Sequence, residues 1–278
     1  MRLDWRVLTT FILVASVAGT ADAQRRGMND AMAAFGDPTQ YFKHPEDHGN
    51  VPYDGRFTFV RIKYRGYEHM TGEGPGWAHD YPTADAHLMR IMREVTTMRP
   101  FIQRGAITGG NLIAADDPEL FKYPVAYFSE PGGWRPTDSE ILGMRAYFLK
   151  GGFIIFDDFR GPRDWMQFTQ VMSRVLPKAR IVELSNSHPI FDSFFKIDIE
   201  ALRSANGGSG PYGPQNGRAT YYGVFQDNDP KKRLIFIANF NNDIGDFWQF
   251  SEQGYFPVAL SNEAYKLGVN YLIYALTH

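Results

Sequence analysis

The sequence predicts a three-layer α/β protein, in which a doubly wound, mainly parallel sheet lies between helices. Three observations support this class. Segments typical of strands alternate with segments of helical periodicity along most of the chain. The run at 153–156 (FIIF) is wholly apolar and too short for a helix, which is typical of a strand buried on both faces. Polar side chains follow successive strands, and ligands of open α/β sheets bind at that edge.

In the first half of the domain, apolar and polar residues alternate at 57–64 and predict the first strand. Apolar residues recur every three or four positions over 83–98, so we expect a helix that packs on the sheet. The apolar runs at 111–114 and 124–129 predict two further strands, the first of them short.

The centre of the chain carries the clearest local signals. Thr137 and Glu140 have capping-box spacing, in which each side chain satisfies a free amide of the first helical turn, so a helix is expected from there to residue 150. Glycines 151–152 end this helix, because glycine takes a left-handed cap without strain. The buried strand at 153–156 follows directly.

The second half of the domain repeats the alternation. A helix is predicted at 163–176 and a strand at 180–184. Two strands at 221–226 and 233–238 flank a polar turn and predict a hairpin. A last helix is predicted at 261–276, with its apolar residues on one face.

The length and composition predict one domain at 56–278, after a loosely ordered lead-in at 24–55. The Gly- and Pro-rich stretch at 205–219 is interpreted as a surface loop. The chain has no cysteine, which excludes thiol nucleophiles, disulfides, zinc–thiolate sites and iron–sulfur clusters. The formal charge of −2 gives no electrostatic reason to expect nucleic acid as a partner.

Residues 1–23 have the features of a secretory signal peptide. Two arginines precede a short apolar stretch at 7–18, and the tripeptide ADA at 21–23 matches the A-x-A cleavage pattern. We predict cleavage after Ala23 and export to the periplasm or out of the cell. The apolar stretch, of about a dozen residues, is short for a membrane span, and we expect no span in the mature chain.

Candidate functional residues lie where the predicted strands end. Aspartates 157 and 158 directly follow the central strand, and His188 follows the next one. Carboxylates in a desolvated cleft can take different pKa values and divide acid and base roles, or hold a cation such as Mg²⁺ or Ca²⁺. The candidate catalytic residues are Asp157, Asp158 and His188. The candidate ligand-binding residues are Arg65, Glu130, Trp134, Asp157, Asp158, Arg160, His188, Asn241 and Asp243.

Structural interpretations of the same residues remain open. One of the two aspartates would serve as N-cap of the following helix, a common role for this residue type. His188 would cap backbone groups before Pro189, and Trp134 would pack on the core instead of stacking on a sugar ring. Arg160 would neutralise the neighbouring acids. No cofactor is required by this set of residues, and a divalent cation is an optional ligand.

Several segments together resemble the bacterial DUF4159 family, from about Arg56 to the end of the chain. They are FVRIKYRGYEH, HDYPTADAHLMR, FKYPVAYFSEPGGW, LKGGFIIFDDFRGP, SNSHPIFDSFF, NNDIGDFW and YKLGVNYLIYALTH. The resemblance implies a flavodoxin-like fold similar to the class I glutamine amidotransferases. In those enzymes a cysteine occupies the turn after the central strand, and a histidine and a glutamate lie on a late strand. Here the two positions read 157–159 (DDF) and 241–243 (NND), so thioester chemistry is excluded.

Relatives in this family are also fused to membrane-anchored envelope modules, which implies an envelope setting. We therefore expect an exported, amidotransferase-like domain that binds a glycan or another envelope-related small molecule at the carboxyl edge of the sheet. One alternative is a carboxylate and histidine hydrolase, with or without a metal, at the same crevice. The other alternative is an interaction module that binds a protein of an envelope assembly.

Overall fold

The chain folds around a seven-stranded, mostly parallel sheet with helices on both faces. The computed structural model describes residues 50–66, 75–101, 110–205 and 217–278. The strands are β1 (Val60–Lys63), β2 (Asn111–Ala114), β3 (Val125–Ser129), β4 (Phe153–Phe159), β5 (Val182–Glu183), β6 (Thr220–Phe225) and β7 (Leu234–Phe240). The helices are α1 (Thr83–Val95), α2 (Asp138–Leu149), α3 (Gly161–Val175), α4 (Ile199–Ala205), α5 (Ile244–Gln249) and α6 (Val258–Thr277).

The strand order is β2-β1-β3-β4-β7-β6-β5. Neighbours from β2 to β7 pair in parallel, so β1, β3, β4 and β7 all end at the same edge of the sheet. The β6 strand runs antiparallel to β7 and forms the predicted hairpin with it, and the short β5 runs antiparallel to β6. Four strand exits therefore converge on one edge, where the sequence predicts the crevice.

Alternate residues of the central strands enter two cores. Tyr127 and Ile155 pack on one face with α1 and α6, whereas Phe128 and Phe156 pack on the other face with α2 and α3. Each fully buried side chain of this size contributes roughly 1.5–3 kcal/mol to stability. This two-sided burial confirms the interpretation of the apolar run at the start of β4.

The predicted capping box of α2 is confirmed. Thr137 and Glu140 form the complete capping box of α2: the Glu140 N–H donates to Thr137 Oγ1 at 3.2 Å, and the Thr137 N–H donates to Glu140 Oε2 at 2.8 Å.

Asn50 and Val51, at the end of the lead-in, bond to β2: the Leu112 N–H donates to Asn50 Oδ1 at 2.8 Å. These contacts cover an otherwise open sheet edge.

Other elements differ from prediction. The β4 strand continues through both aspartates to Phe159, with an irregular register after Phe156. The edge strand β5, which pairs with β6, is only two residues long. The short helices α4 and α5 lacked a clear sequence signal, since each has fewer than eight residues. Among the described residues, no helix has the length and apolar character needed to cross a membrane.

The predicted signal peptide at 1–23, most of the predicted lead-in at 24–55 and most of the stretch at 205–219 lie outside the described residues.

Candidate functional site

Acidic side chains from four strand exits meet at the carboxyl edge of the sheet. His79 and Asp80 follow β1, Glu130 follows β3, and Asp157 and Asp158 lie near the end of β4. The exit of β7 supplies Asp243 and Asp246, at the start of α5. Except for Glu130 and His79, which are partly exposed, these side chains are buried. The parallel arrangement of β1, β3, β4 and β7 is what brings them together.

Asp157 is a structural residue of this edge. Its Oδ2 accepts hydrogen bonds from Tyr127 Oη at 2.7 Å and from the N–H groups of Ile244 and Gly245 at 2.9 and 3.0 Å. Its Oδ1 accepts from Asn239 Nδ2 at 2.9 Å. Burial raises the pKa of Asp157 to about 7, although the bonds from Tyr127 and Asn239 oppose that rise. The carboxyl group thus joins β3, β4, β7 and the start of α5.

The expectation that an aspartate caps the following helix is met only in part. Asp157 does satisfy helical N–H groups, but they belong to α5, which lies far along the chain. The next helix, α3, has Arg160 at its N-cap, and the backbone N–H of that residue donates to Asp164 Oδ2 at 3.0 Å. Long-range packing, which sequence spacing does not show, decides which helix the aspartate caps.

Asp158 lies between Arg160 and His79 at the carboxyl edge of the sheet. Its backbone is left-handed, with φ of 54°, at the penultimate residue of β4. Its Oδ1 accepts a hydrogen bond from Arg160 Nη2, and its Oδ2 lies 3.2 Å from His79 Nδ1. Burial alone raises the pKa of Asp158, but the charges of Arg160 and His79 hold it well below its usual range. Asp158 is therefore the ionised carboxylate of the site.

Glu130 lies on the other side of the same imidazole. Its Oε1 is 3.1 Å from His79 Nδ1, and its backbone is also left-handed, with φ of 49°. Burial and the nearby charge of Asp158 raise the pKa of Glu130 to about 8. Two carboxyl groups with opposite pKa shifts therefore flank one histidine. In such an arrangement the ionised Asp158 can accept a proton and the protonated Glu130 can donate one.

A second cluster of acidic residues lies beside the cluster of His79, Glu130 and Asp158. Arg160 Nη2 is 3.1 Å from Asp243 Oδ2, so one guanidinium joins Asp158 to Asp243. Asp243 Oδ1 accepts from the Asp246 N–H at 3.0 Å and caps α5. Burial, followed by nearby acidic charges, raises the pKa values of Asp80 and Asp243 well above their usual range.

Two sets of side chains among the described residues have the spacing to hold a metal ion. His79, Glu130 and Asp158 form one set, and the other set consists of three aspartates, residues 80, 243 and 246. Within each set the ligand atoms lie within 4.8 Å of one another. The first set offers nitrogen and oxygen atoms as metal ligands, and the second set offers oxygen atoms alone.

Other predicted site residues lie around this centre. Asn241 Oδ1 accepts from the Gly161 N–H at 2.9 Å and so joins the exit of β7 to α3. Trp134 is 1% exposed and packs on Phe128 with ring centroids 4.9 Å apart, so it has no open face for stacking. Arg65 is exposed at the exit of β1.

His188 does not join the site. Its Nδ1 accepts from the Ile190 N–H at 3.2 Å, and its ring packs 5.5 Å from Phe225 and 5.6 Å from Tyr274. Phe225 pairs with Leu234, the first residue of β7, so His188 lies at the opposite edge of the sheet. His188 therefore has the structural role given above, in which the histidine caps backbone groups next to Pro189.

Sequence reasoning missed His79 and Asp80 as site residues. Both lie between β1 and α1, shortly before α1 begins at Thr83. The signal that points to them is their place at a strand exit directly before a helix, in the segment HDYP.

No curated protein matches the chain at a significant level. A comparison with protein-family models matches residues 58–276 to DUF4159, a domain of unknown function. The match spans well over half of the chain and includes the residues of the acidic centre described above. The protein therefore belongs to the DUF4159 family.

Proposed function

We propose that the crevice at the carboxyl edge of the sheet binds a small molecule that presents hydroxyl or amino groups, such as an envelope glycan. The observation that carries this proposal is the convergence of Glu130 and Asp158 on His79 Nδ1, at 3.1 and 3.2 Å. The side chains of Glu130 and His79 keep 15% and 18% of their surface exposed, which leaves the group open to a ligand.

The carboxyl groups at this edge of the sheet favour this class of ligand. Glu130, Asp158 and Asp243 are carboxyl groups, and Arg160 already bonds to two of them. Ionised carboxyl groups accept hydrogen bonds from hydroxyl and ammonium groups, and protonated ones can also donate to hydroxyl oxygens. Because Trp134 is buried, hydrogen bonds would provide the recognition without aromatic stacking.

We also propose an amidotransferase-like, flavodoxin-like topology and export from the cell. The order β2-β1-β3-β4 supports the topology, since flavodoxin-like sheets begin with the order 2-1-3-4. The sequence at 1–23 and the absence of cysteine support export to the periplasm or beyond. Amidotransferase activity itself is excluded because the chain has no thiol nucleophile.

Hydrolysis at the same crevice is the second candidate function. The observation in its favour is the left-handed backbone of Asp158, with φ of 54°, at the turn where the amidotransferases carry their nucleophile. Such a conformation is uncommon outside glycine and often occurs at functional sites. Asp158 would be the nucleophile or base and Glu130 the proton donor, with His79 in the role expected for His188.

Thermal unfolding of the purified protein tests the binding proposal. The panel contains neutral sugars, amino sugars and envelope glycan fragments, each with the wild type, Glu130→Gln and Asp158→Asn. Glu119→Gln is the matched control, because Glu119 is an exposed acid outside the crevice. A ligand at about a hundred times its Kd adds roughly 2.7 kcal/mol, which raises the melting temperature by several degrees.

A shift in the wild type and the Glu119 variant that is absent in both crevice variants supports binding. Chromatography of the same mixtures separates the two candidates, since hydrolysis releases products and binding does not. If no compound shifts the melting temperature and none is cleaved, the crevice proposal fails, and docking of an envelope protein becomes the function to test.

A further inference from the structure

Three buried aspartates form a compact cluster beneath the crevice. Asp80, Asp243 and Asp246 are 3%, 2% and 7% exposed, and each places a carboxyl oxygen within 4.8 Å of the other two. They come from two strand exits, after β1 and after β7. We infer that these three aspartates bind one hard divalent cation, with Ca²⁺ as the best fit. The inference does not rest on the proposed glycan site, which shares only Asp243 with this cluster.

An independent observation at Asp80 points to a missing ligand. Its Oδ2 is buried and has no hydrogen-bond partner among the residues that the structure describes. Buried carboxylate oxygens almost always accept a hydrogen bond or contact an ion, because desolvation without compensation is costly. A cation between Asp80 and the two aspartates at the start of α5 would supply that contact.

The backbone around the cluster holds these side chains in place. The Asp80 carbonyl accepts from the Ala84 N–H at 2.9 Å, at the start of α1. Gly245 leaves room for the Asp80 carboxyl group, since a Cβ at that position would lie 2.3 Å from Asp80 Oδ2. The fold therefore directs an unsatisfied oxygen towards the first turn of α5.

Asp243 retains the capacity to bind a cation. Its Oδ1 accepts from the Asp246 N–H at 3.0 Å and its Oδ2 from Arg160 at 3.1 Å. A carboxylate has about four lone-pair positions, so these two bonds leave acceptor sites for a metal ion.

The donor set selects the class of ion. Three carboxyl groups offer only oxygen, which suits Ca²⁺, Mg²⁺ or Mn²⁺ and disfavours softer metals. Ca²⁺ binds oxygen at about 2.3–2.6 Å and can therefore contact oxygens up to about 5 Å apart. Mg²⁺ binds at about 2.0–2.1 Å, so its ligands must lie within about 4.2 Å of one another. Separations of up to 4.8 Å lie within the range that Ca²⁺ can bridge, and the flexible coordination of Ca²⁺ tolerates them more readily than the near-ideal octahedron of Mg²⁺.

The test is direct measurement of ion binding to the purified protein after EDTA treatment and dialysis. Isothermal titration with CaCl₂, MgCl₂ and MnCl₂ gives stoichiometry and affinity, and NaCl at matched ionic strength controls for non-specific charge effects. We expect one Ca²⁺ per chain, weaker Mg²⁺ binding, and a melting temperature several degrees higher with Ca²⁺.

Three variants locate the ion. Asp80→Asn and Asp246→Asn should weaken Ca²⁺ binding by about tenfold or more, because each removes a charged ligand. The exposed-acid control Glu119→Gln should bind as the wild type does. Circular dichroism checks the fold of each variant, and metal-free Asp80→Asn should be as stable as the metal-free wild type because it has one fewer buried acid.

Absence of Ca²⁺, Mg²⁺ and Mn²⁺ binding by the wild type would overturn the inference, and this result does not depend on any variant. Unchanged Ca²⁺ affinity in folded Asp80→Asn would also overturn it. In a fourth variant, Glu130→Gln, loss of binding that the two aspartate variants do not show would place the ion at the His79 group instead. Because no sugar is present, these outcomes are separate from the test of ligand binding in the crevice.

Discussion

Arg61 and Asp85 form a fully buried ion pair beneath the crevice, with hydrogen bonds of 3.1 Å from Nε and 2.6 Å from Nη2. Arg61 Nη1 also donates to the carbonyl oxygens of Trp77 and His79, at 3.1 and 2.6 Å. One side chain on β1 thus holds α1 and the backbone that carries His79. The pair therefore positions the backbone segment that carries His79.

Arg61→Met should therefore destabilise the protein by about 3–5 kcal/mol, because it leaves the buried carboxylate of Asp85 without its charged partner. Urea unfolding followed by circular dichroism measures the change. The matched control is Arg174→Ala, which breaks an exposed pair with Asp138 and should cost less than about 1 kcal/mol. Similar losses in the two variants would contradict the role assigned to Arg61.

Asp157→Asn should lower the free energy of unfolding by about 2 kcal/mol or more. The carboxylate accepts four hydrogen bonds, and an amide in its place would direct an NH₂ group at one of the donors. Equilibrium unfolding in urea provides the measurement. A variant as stable as the wild type would show that this carboxylate does not join β4 to α5.

Asp158→Asn should behave differently from its neighbour. Asp158 lies against the crevice, and after the substitution Arg160 still pairs with Asp243. We expect a stability change of less than about 1.5 kcal/mol, together with loss of any ligand-induced shift or turnover. Parallel unfolding and ligand titration of both variants check this, and retention of the ligand response in Asp158→Asn would remove Asp158 from the site.

Trp134→Ala should cost about 3–5 kcal/mol in stability, since the ring is buried against Phe128. Trp134→Phe is the control, because it keeps most of the apolar contact and should lose less. If Trp134→Ala keeps its stability and loses only sugar binding, the ring is a stacking surface for the ligand and is not packed on Phe128. Thermal unfolding with and without ligand distinguishes these cases.

His188 should titrate well below the usual histidine range. Burial between Phe225 and Tyr274, and secondarily the charge of His278, lowers its pKa to about 4. The unfolded chain binds this proton near pH 6.5, so the contribution of His188 to stability is complete above that pH and is lost as the pH falls towards 4.

An NMR titration measures the His188 pKa directly, and unfolding at pH 7 and pH 4.5 compares the wild type with His188→Gln. We expect a smaller loss of stability on acidification in the variant. Its ligand response should be unchanged, since residue 188 lies at the opposite edge of the sheet. A pKa near 6.5 would contradict the burial of this ring.

Local chemistry made most of the fold predictable from the sequence. The capping box of Thr137 and Glu140, the glycines before β4 and the apolar run within it act over a few residues, so spacing alone identifies them. The hairpin of β6 and β7 and the helix α6 are predictable for the same reason. The short helix α5 is not, because it depends on Asp157, which is remote in the chain.

The sequence by itself determined the α/β class, the absence of thiol chemistry and the edge where Glu130, Asp158 and Asp243 would meet. Only the tertiary structure decided the role of each polar residue. It placed His79 between two carboxyl groups, buried Asp157 under four donors and moved His188 to the other end of the sheet. The physical reason is that burial and hydrogen-bond partners come from segments distant in sequence, whereas periodicity and capping report only on neighbours.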